Sequence, residues 1–363
     1  MNQGISFCAS RDGTRIAWTR EGQGPPLLRI PTWPMHLDFD RGSPVSAPWN
    51  EALASRHTLI RFDMRGTGLS DREVADVGFE RWVEDLEAVA DAAGLKQFAL
   101  IGHSQGAAMG ATYASRHPHR ISRLILCGAY ARGRLLRARN GADRERIAVF
   151  LQLIRVGWDS PDPVFRHVFS SLFLPDSRQE HLDAWDRLQS LACSAETAVR
   201  IAGVVDAMDV RAPAQHVRVP TLVFHAADDA RVPLEEGRLF AGLVPEAQFV
   251  ILPSRNHIWL PHEACWSGFV QRVNDFLAPQ EQAPATATGT TVNVQPADDL
   301  TPREREVLEL IARGQSNGQI SDALGISPHT LRNHIARIFV KLGVSSRAQA
   351  IVGARQVGYG RGA

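Results

Sequence analysis

The chain has only four cysteines among its 363 residues, Cys8, Cys127, Cys193 and Cys265, and they are scattered without close pairing. That excludes a disulfide-stapled scaffold and a zinc module, and it fits a reducing cytoplasm. No run approaches the roughly 18 apolar residues that a membrane-spanning helix needs. Met1 is followed by Asn2, Gln3 and Gly4 rather than by a charged segment and an apolar stretch, so no secretory leader is expected. Self-similarity at a period of about 20 to 50 residues is absent too, which excludes a solenoid or propeller. Hydrophobic residues at 44% and charged residues at 22% instead describe an ordinary globular chain. Its length exceeds what one core usually fills, so two domains are expected.

Net charge is only +1, but it is unevenly divided. From Leu300 onward nine basic residues face four acidic ones, giving +5 and leaving −4 for the first 299 residues. A basic tail on a slightly acidic body suits a nucleic-acid module, although it suits plain solubility as well.

Strand signals dominate the first part of the chain. β-rich runs at Ile5 to Ser10 and Thr14 to Arg20 flank Asp12-Gly13 and predict an opening hairpin. Apolar runs at Leu27 to Ile30, Thr58 to Phe62, Phe98 to Ile101, Arg123 to Cys127, Thr221 to His225 and Gln248 to Leu252 read as buried parallel strands. Helical stretches between them, such as Trp82 to Ala93 and Gly106 to Arg116, complete a doubly wound α/β pattern. From about Tyr130 to Gln215 the strands stop, and a helical stretch bearing Trp158, Phe165, Phe169, Phe173 and Trp185 reads as an inserted lid. Its aromatics are expected in the core, and the six arginines between Arg132 and Arg146, which could hold an anion, are expected on a solvated helix face. Residues 279–299, rich in Pro, Ala and Thr without periodicity, read as a linker between units at 1–278 and 300–363.

One chemical motif stands in the required context. The strand ending at Ile101 runs straight into Gly102-His103-Ser104-Gln105-Gly106 and a small-residue helix start. Glycines two before and two after the serine allow a sharp strand-to-helix turn that exposes Ser104 over a helix N-terminus. A carboxylate candidate, Asp228 or Asp229, follows the next-to-last strand, and Asn256-His257 follows the last. That chain order, Ser then Asp then His, is the order of hydrolases with this turn.

Over residues 1–278 the chain resembles the α/β-hydrolase superfamily. Asp63-Met64-Arg65-Gly66-Thr67-Gly68-Leu69-Ser70 is similar to that family's D-x-R-G-x-G-x-S loop, taken as structural. Matching the family's acid turn selects Asp229, four residues after His225. The resemblance implies that Asp229 orients His257, that His257 takes the proton of Ser104, and that Ser104 attacks an acyl carbonyl. The oxyanion N–H groups would come from Trp33 and Gln105. Here the chain departs from the family, with Pro31-Thr32-Trp33-Pro34 standing where H-G-x-P is usual. Each oxyanion donor is worth roughly 2.7 to 4 kcal/mol, so a narrowed approach matters. Two outcomes follow: a site that chiefly binds an acyl ligand with slow or vestigial turnover, or an active hydrolase of an ester, lactone or amide. No cofactor and no metal is expected. His103 and His225 are expected to pack or hydrogen-bond.

The basic end carries a second constellation. Thr301-Pro302-Arg303-Glu304 is a capping box with proline at the first helical position, and Ser316-Asn317-Gly318-Gln319 is another. A third helix starts at Ser327-Pro328 and places Leu331, Ile335, Ile338 and Leu342 on one stripe. Its other face carries Arg332, Asn333, Ala336, Arg337 and Val340, with Lys341 on the flank. Two short helices joined through Gly325-Ile326-Ser327 and ending in a basic one suggest a helix-turn-helix. From Leu300 to about Gly358 the chain resembles the LuxR-type DNA-binding domain, a four-helix module. The resemblance implies that Arg332, Asn333 and Ala336 meet base edges in the major groove of double-stranded DNA. Thr330, Arg337 and Lys341 would meet phosphate, and a fourth helix from Arg347 to Val357 would pair two modules into a homodimer. Together the two resemblances imply a cytoplasmic one-component transcriptional regulator whose partners are DNA and a small acyl-carbonyl ligand, with RNA polymerase as a further candidate partner and no membrane.

Overall fold

The computed structural model describes residues 4–278, 300–315 and 317–342, together with 350, 351, 354 and 359; the side chains of Pro328, His329, Arg332, Asn333, Ala336 and Val340 lie outside that description. Its contacts divide the chain into two units, Met1–Ala278 and Pro279–Ala363.

The first unit is organised by one eight-stranded sheet. Its strands are β1 (Ser6–Ala9), β2 (Arg15–Glu21), β3 (Pro26–Ile30), β4 (Thr58–Phe62), β5 (Phe98–His103), β6 (Ile121–Cys127), β7 (Thr221–Ala226) and β8 (Gln248–Leu252). They lie in the order 1-2-4-3-5-6-7-8. β1 and β2 form the expected hairpin, with Gly13 at φ +86° in its turn. β2 joins β4 antiparallel, and the remaining pairs are parallel. Every residue of β5 and β7 is buried, as the unbroken apolar runs require of central strands covered on both faces. β8 departs from that reading. It is an edge strand paired only with β7, so only Leu252 is fully buried and Ile251 is 44% exposed.

Helices α1 (Ala47–Ala54), α2 (Phe79–Ala92) and α3 (Gln105–Arg116) cross between strands. The interval between β6 and β7, read from the sequence as a lid, forms six helices: α4 (Arg134–Arg137), α5 (Gly141–Gly157), α6 (Val164–Phe173), α7 (Gln179–Ala192), α8 (Ala195–Ala207) and α9 (Arg211–Gln215). α10 (Leu234–Leu243) and α11 (Trp266–Leu277) complete the unit. Trp158, Phe169, Phe173 and Trp185 are buried in the core as expected, whereas Phe165 is 37% exposed.

The second unit has a small core of its own, built on Leu300, Val307, Leu308, Ile311, Ile320, Leu331, Ile338 and Leu342, with Ala350 and Ala354. α12 (Pro302–Ala312) starts at the predicted capping box: Thr301 Oγ1 accepts the Glu304 N–H, and Glu304 Oε2 accepts the Thr301 N–H. α13 (Asn317–Leu324) and α14 (Pro328–Leu342) follow, joined through Gly325 at φ +61°. Ser316 of the second capping box, the linker 279–299 and most of the fourth helix fall outside the described residues.

Candidate functional site

Parallel strands point their carboxyl ends to one edge of the sheet, and at that edge loops from separate strands converge. Trp33 follows β3, Ser104 follows β5, Asp229 follows β7 and His257 follows β8.

The turn at Ser104 explains its glycines. Ser104 sits at φ +55°, ψ −124°, a region a side-chain-bearing residue adopts only where its surroundings impose it. A Cβ on Gly102 would come within 2.3 Å of the Gly106 carbonyl oxygen, and one on Gly106 within 2.8 Å of that of Pro31. Strand and helix can therefore approach this closely only without side chains there.

Asp229 and His257 are brought together. Asp229 Oδ1 accepts the N–H groups of Arg231 and Val232, both at 2.8 Å, and Oδ2 lies 2.7 Å from His257 Nδ1. Burial pushes this carboxyl up, but the adjacent His257 ring, its hydrogen bond and the Val232 amide outweigh burial and hold Asp229 below the usual carboxylate range. Asp228 is exposed and faces elsewhere, its N–H donating to the Ser254 carbonyl. The His257 ring rests on Gly128, where a Cβ would fall 2.7 Å from Cε1. From the lid, the Phe173 carbonyl accepts the His257 N–H at 2.9 Å. His257 Nε2 is buried and has no hydrogen-bond partner among the described residues.

His103 and His225 pack behind this edge. His103 packs against the rings of Trp49 and Trp259, at 5.6 and 5.8 Å, and burial together with neighbouring His257 drives its pKa well below the ordinary value, so it stays neutral. His225 Nε2 lies 3.0 Å from the Val232 carbonyl. The Asp63 to Ser70 loop is a structural knot. Asp63 accepts the N–H groups of Leu37 and Leu69, and Arg65, wholly buried, bonds Asp85 and Asp12.

A small cavity of about 20 Å³ lies at Ser104. Trp33 and Gln105, the oxyanion candidates, both line it, and the Trp33 indole stacks on Trp158 at 5.0 Å. Tyr130, Phe173, Arg134, Arg137 and Arg231 also line it, and none of these was singled out from sequence for the site. Arg231 stands two residues after the acid, which is the one sequence signal that could have flagged it.

In the second unit, Thr330 and Arg337 are exposed, and Ser327 Oγ accepts the Thr330 N–H at the start of α14. Lys341 donates to Glu304 at 2.7 Å, tying α14 to α12. For Arg332, Asn333 and Ala336 the helix backbone is described but the side chains are not.

Residues 25–140 match the model of the alpha/beta hydrolase fold, and residues 298–354 match that of bacterial regulatory proteins of the luxR family. A 2-hydroxy-6-oxo-2,4-heptadienoate hydrolase from Pseudomonas putida is 30% identical over 260 residues, 65% of this chain and 84% of that protein. A pyrrolizixenacetamide deacetylase from Xenorhabdus hominickii is 24% identical over 74% of this chain and 96% of its own length. Among solved structures, an esterase from Exiguobacterium antarcticum superposes with a TM-score of 0.64 at 20% identity, covering 75% of this chain and 98% of its own. The chain belongs to the α/β-hydrolase family and carries a C-terminal LuxR-type DNA-binding domain.

Proposed function

We propose that the chain is a one-component, cytoplasmic transcriptional regulator, in which the hydrolase-fold domain senses a small carbonyl-bearing ligand and the LuxR-type module binds DNA as a homodimer. Ser104, His257 and Asp229 grip the acyl group, with the Trp33 and Gln105 amides at its oxygen. Arg332, Asn333 and Ala336 read base edges, and Thr330, Arg337 and Lys341 hold phosphate. RNA polymerase is the further partner such a regulator would engage.

The observation that carries this reading is the pairing, in one chain, of a DNA-binding domain with a His257–Asp229 couple whose free ring nitrogen makes no bond to the nucleophile. A general base acts on a proton within hydrogen-bond reach, and His257 Nε2 has no hydrogen-bond partner among the described residues. That favours binding over rapid turnover. A regulator also gains from it, because a ligand shifts a conformational equilibrium only while it stays bound.

The second reading is an active serine hydrolase with an appended DNA-binding module. It is favoured by the imposed backbone of Ser104 and the short bond between Asp229 and His257, and hydrolase and deacetylase activities occur among the relatives. Turnover of a simple p-nitrophenyl ester by the purified full chain beside Ser104→Ala separates the two. Rates far below the enzyme median of about 10 s⁻¹ support the sensor. Rates near that value, abolished in Ser104→Ala, would establish the hydrolase.

A further inference from the structure

The walls of the Ser104 cavity carry three guanidinium groups, those of Arg134, Arg137 and Arg231, against a single carboxylate, Asp206. That carboxylate is already committed. Arg134 Nε and Nη2 bind its two oxygens at 2.6 and 2.8 Å, a bidentate pair. The nearby Arg132 is likewise committed, to Glu236. Arg137 and Arg231 have no carboxylate within 4 Å among the described residues.

Both are nonetheless held in place. Arg231 lies over the rings of Phe150 and Phe173, at 5.0 and 5.2 Å, and Arg137 lies over that of Tyr130 at 5.4 Å. The Nε of Arg137 is buried with no hydrogen-bond partner among the described residues. Burial lowers Arg231 to about 10, which leaves it charged at neutral pH. Withdrawing a cation from water without a counter-charge is costly, and aromatic faces return only part of that cost. Two such cations, fixed beside a serine on a strained turn, fit an anion that arrives with the acyl group.

We propose that the ligand of the Ser104 cavity carries a carboxylate in addition to its acyl carbonyl, and that Arg137 and Arg231 clamp that carboxylate. The proposal rests on the acyl-site reading above and names the ligand class for it. Guanidinium and carboxylate match in geometry as well as charge, so the clamp orients the carbonyl toward Ser104 besides adding affinity. Two of the cavity arginines, Arg134 and Arg137, belong to the set that the sequence placed on a solvated helix face. α4 turns them inward instead.

The test uses the full chain and ligands that cannot be hydrolysed: a length series of oxoalkanoates, each with the uncharged methyl ketone of matching length, titrated calorimetrically. The best oxoalkanoate should bind about tenfold or more tightly than its matched ketone, the range of charge-assisted hydrogen bonds. That ratio should fall toward one in Arg231→Met and in Arg137→Met, and survive in part in Arg231→Lys. Should Arg231→Met fail to fold, Arg137→Met and Arg231→Lys carry the test. Equal binding of both series, or a ratio that neither substitution moves, overturns the carboxylate clamp and leaves the acyl site standing. Binding of neither series overturns the acyl site, and the clamp falls with it.

Discussion

Lys341, proposed above to hold phosphate, also makes an ion pair that a single substitution would remove as well. Its ammonium holds the buried Glu304, which also accepts the Thr301 N–H, so the lysine ties the third helix of the DNA-binding domain to the start of the first. Lys341→Ala should therefore lower the domain's melting temperature as well as its DNA affinity. Arg337 is exposed and makes the cleaner phosphate probe. Arg337→Ala should leave the melt unchanged, weaken binding to all sequences alike and flatten the salt slope by about 1, whereas Arg332→Ala should cost roughly 1 to 3 kcal/mol and relax specificity. Titrations at several salt concentrations, paired with thermal melts, check all three. The same ion pair sets a pH dependence. The hydrogen bond from Lys341, opposed by burial and aided by Thr301, lowers Glu304 to about 2, so its stabilisation is present above the ordinary value near 4.5 and is lost as pH falls toward about 2. Melts of the full chain across that window should show the C-terminal domain losing stability, and Glu304→Gln should remove that component. Among single residues, Asp229 is chosen over Asp228 only through the resemblance to the family's acid turn, four residues after His225, since both carboxylates follow the same strand. Tyr130 and Phe173 were not legible, since their roles depend on how the lid folds over the sheet edge.

The loop from Asp63 to Ser70 is anchored by a buried ion pair, and one further carboxylate ties it to the start of the chain. Arg65 and Asp85 have no exposed side-chain surface, and Asp12 adds a third member from the β1–β2 turn. Removing one partner of such a pair strands the other, so Arg65→Met should destabilise the first domain by about 3 to 5 kcal/mol, and the double variant Arg65→Met with Asp85→Leu should recover part of the loss. Denaturant melts of the three proteins measure this directly. Strands β3 to β8 were legible because buried parallel strands are nearly unbroken apolar runs, as in Leu27 to Ile30. The exposure of β8 was not, because a run cannot say that its strand ends the sheet. The inward turn of α4 was equally hidden. Six arginines in a short stretch look solvated until a cavity and a row of aromatic rings are folded against two of them.

For the whole molecule, the two-domain division was legible from the Pro- and Ala-rich segment after residue 278 and from the charge asymmetry across it. One LuxR-type module covers one half-site, and two-fold sites place half-sites about one helical turn apart, so a dimer is expected on palindromic DNA. Light scattering with and without such a duplex checks it, and a strictly monomeric mass in both conditions removes the dimer. Occupancy at Ser104 is proposed to govern what the DNA-binding domain does, a coupling between two sites that typically amounts to about 1 to 3 kcal/mol. Its most direct test is regulated transcription from the promoter that the chain binds, compared between the wild-type protein and Ser104→Ala at equal abundance and equal melting temperature. Ser104→Ala should shift or abolish the ligand response while DNA affinity without ligand is retained, as this coupling requires. A Ser104→Ala response indistinguishable from wild type would contradict it.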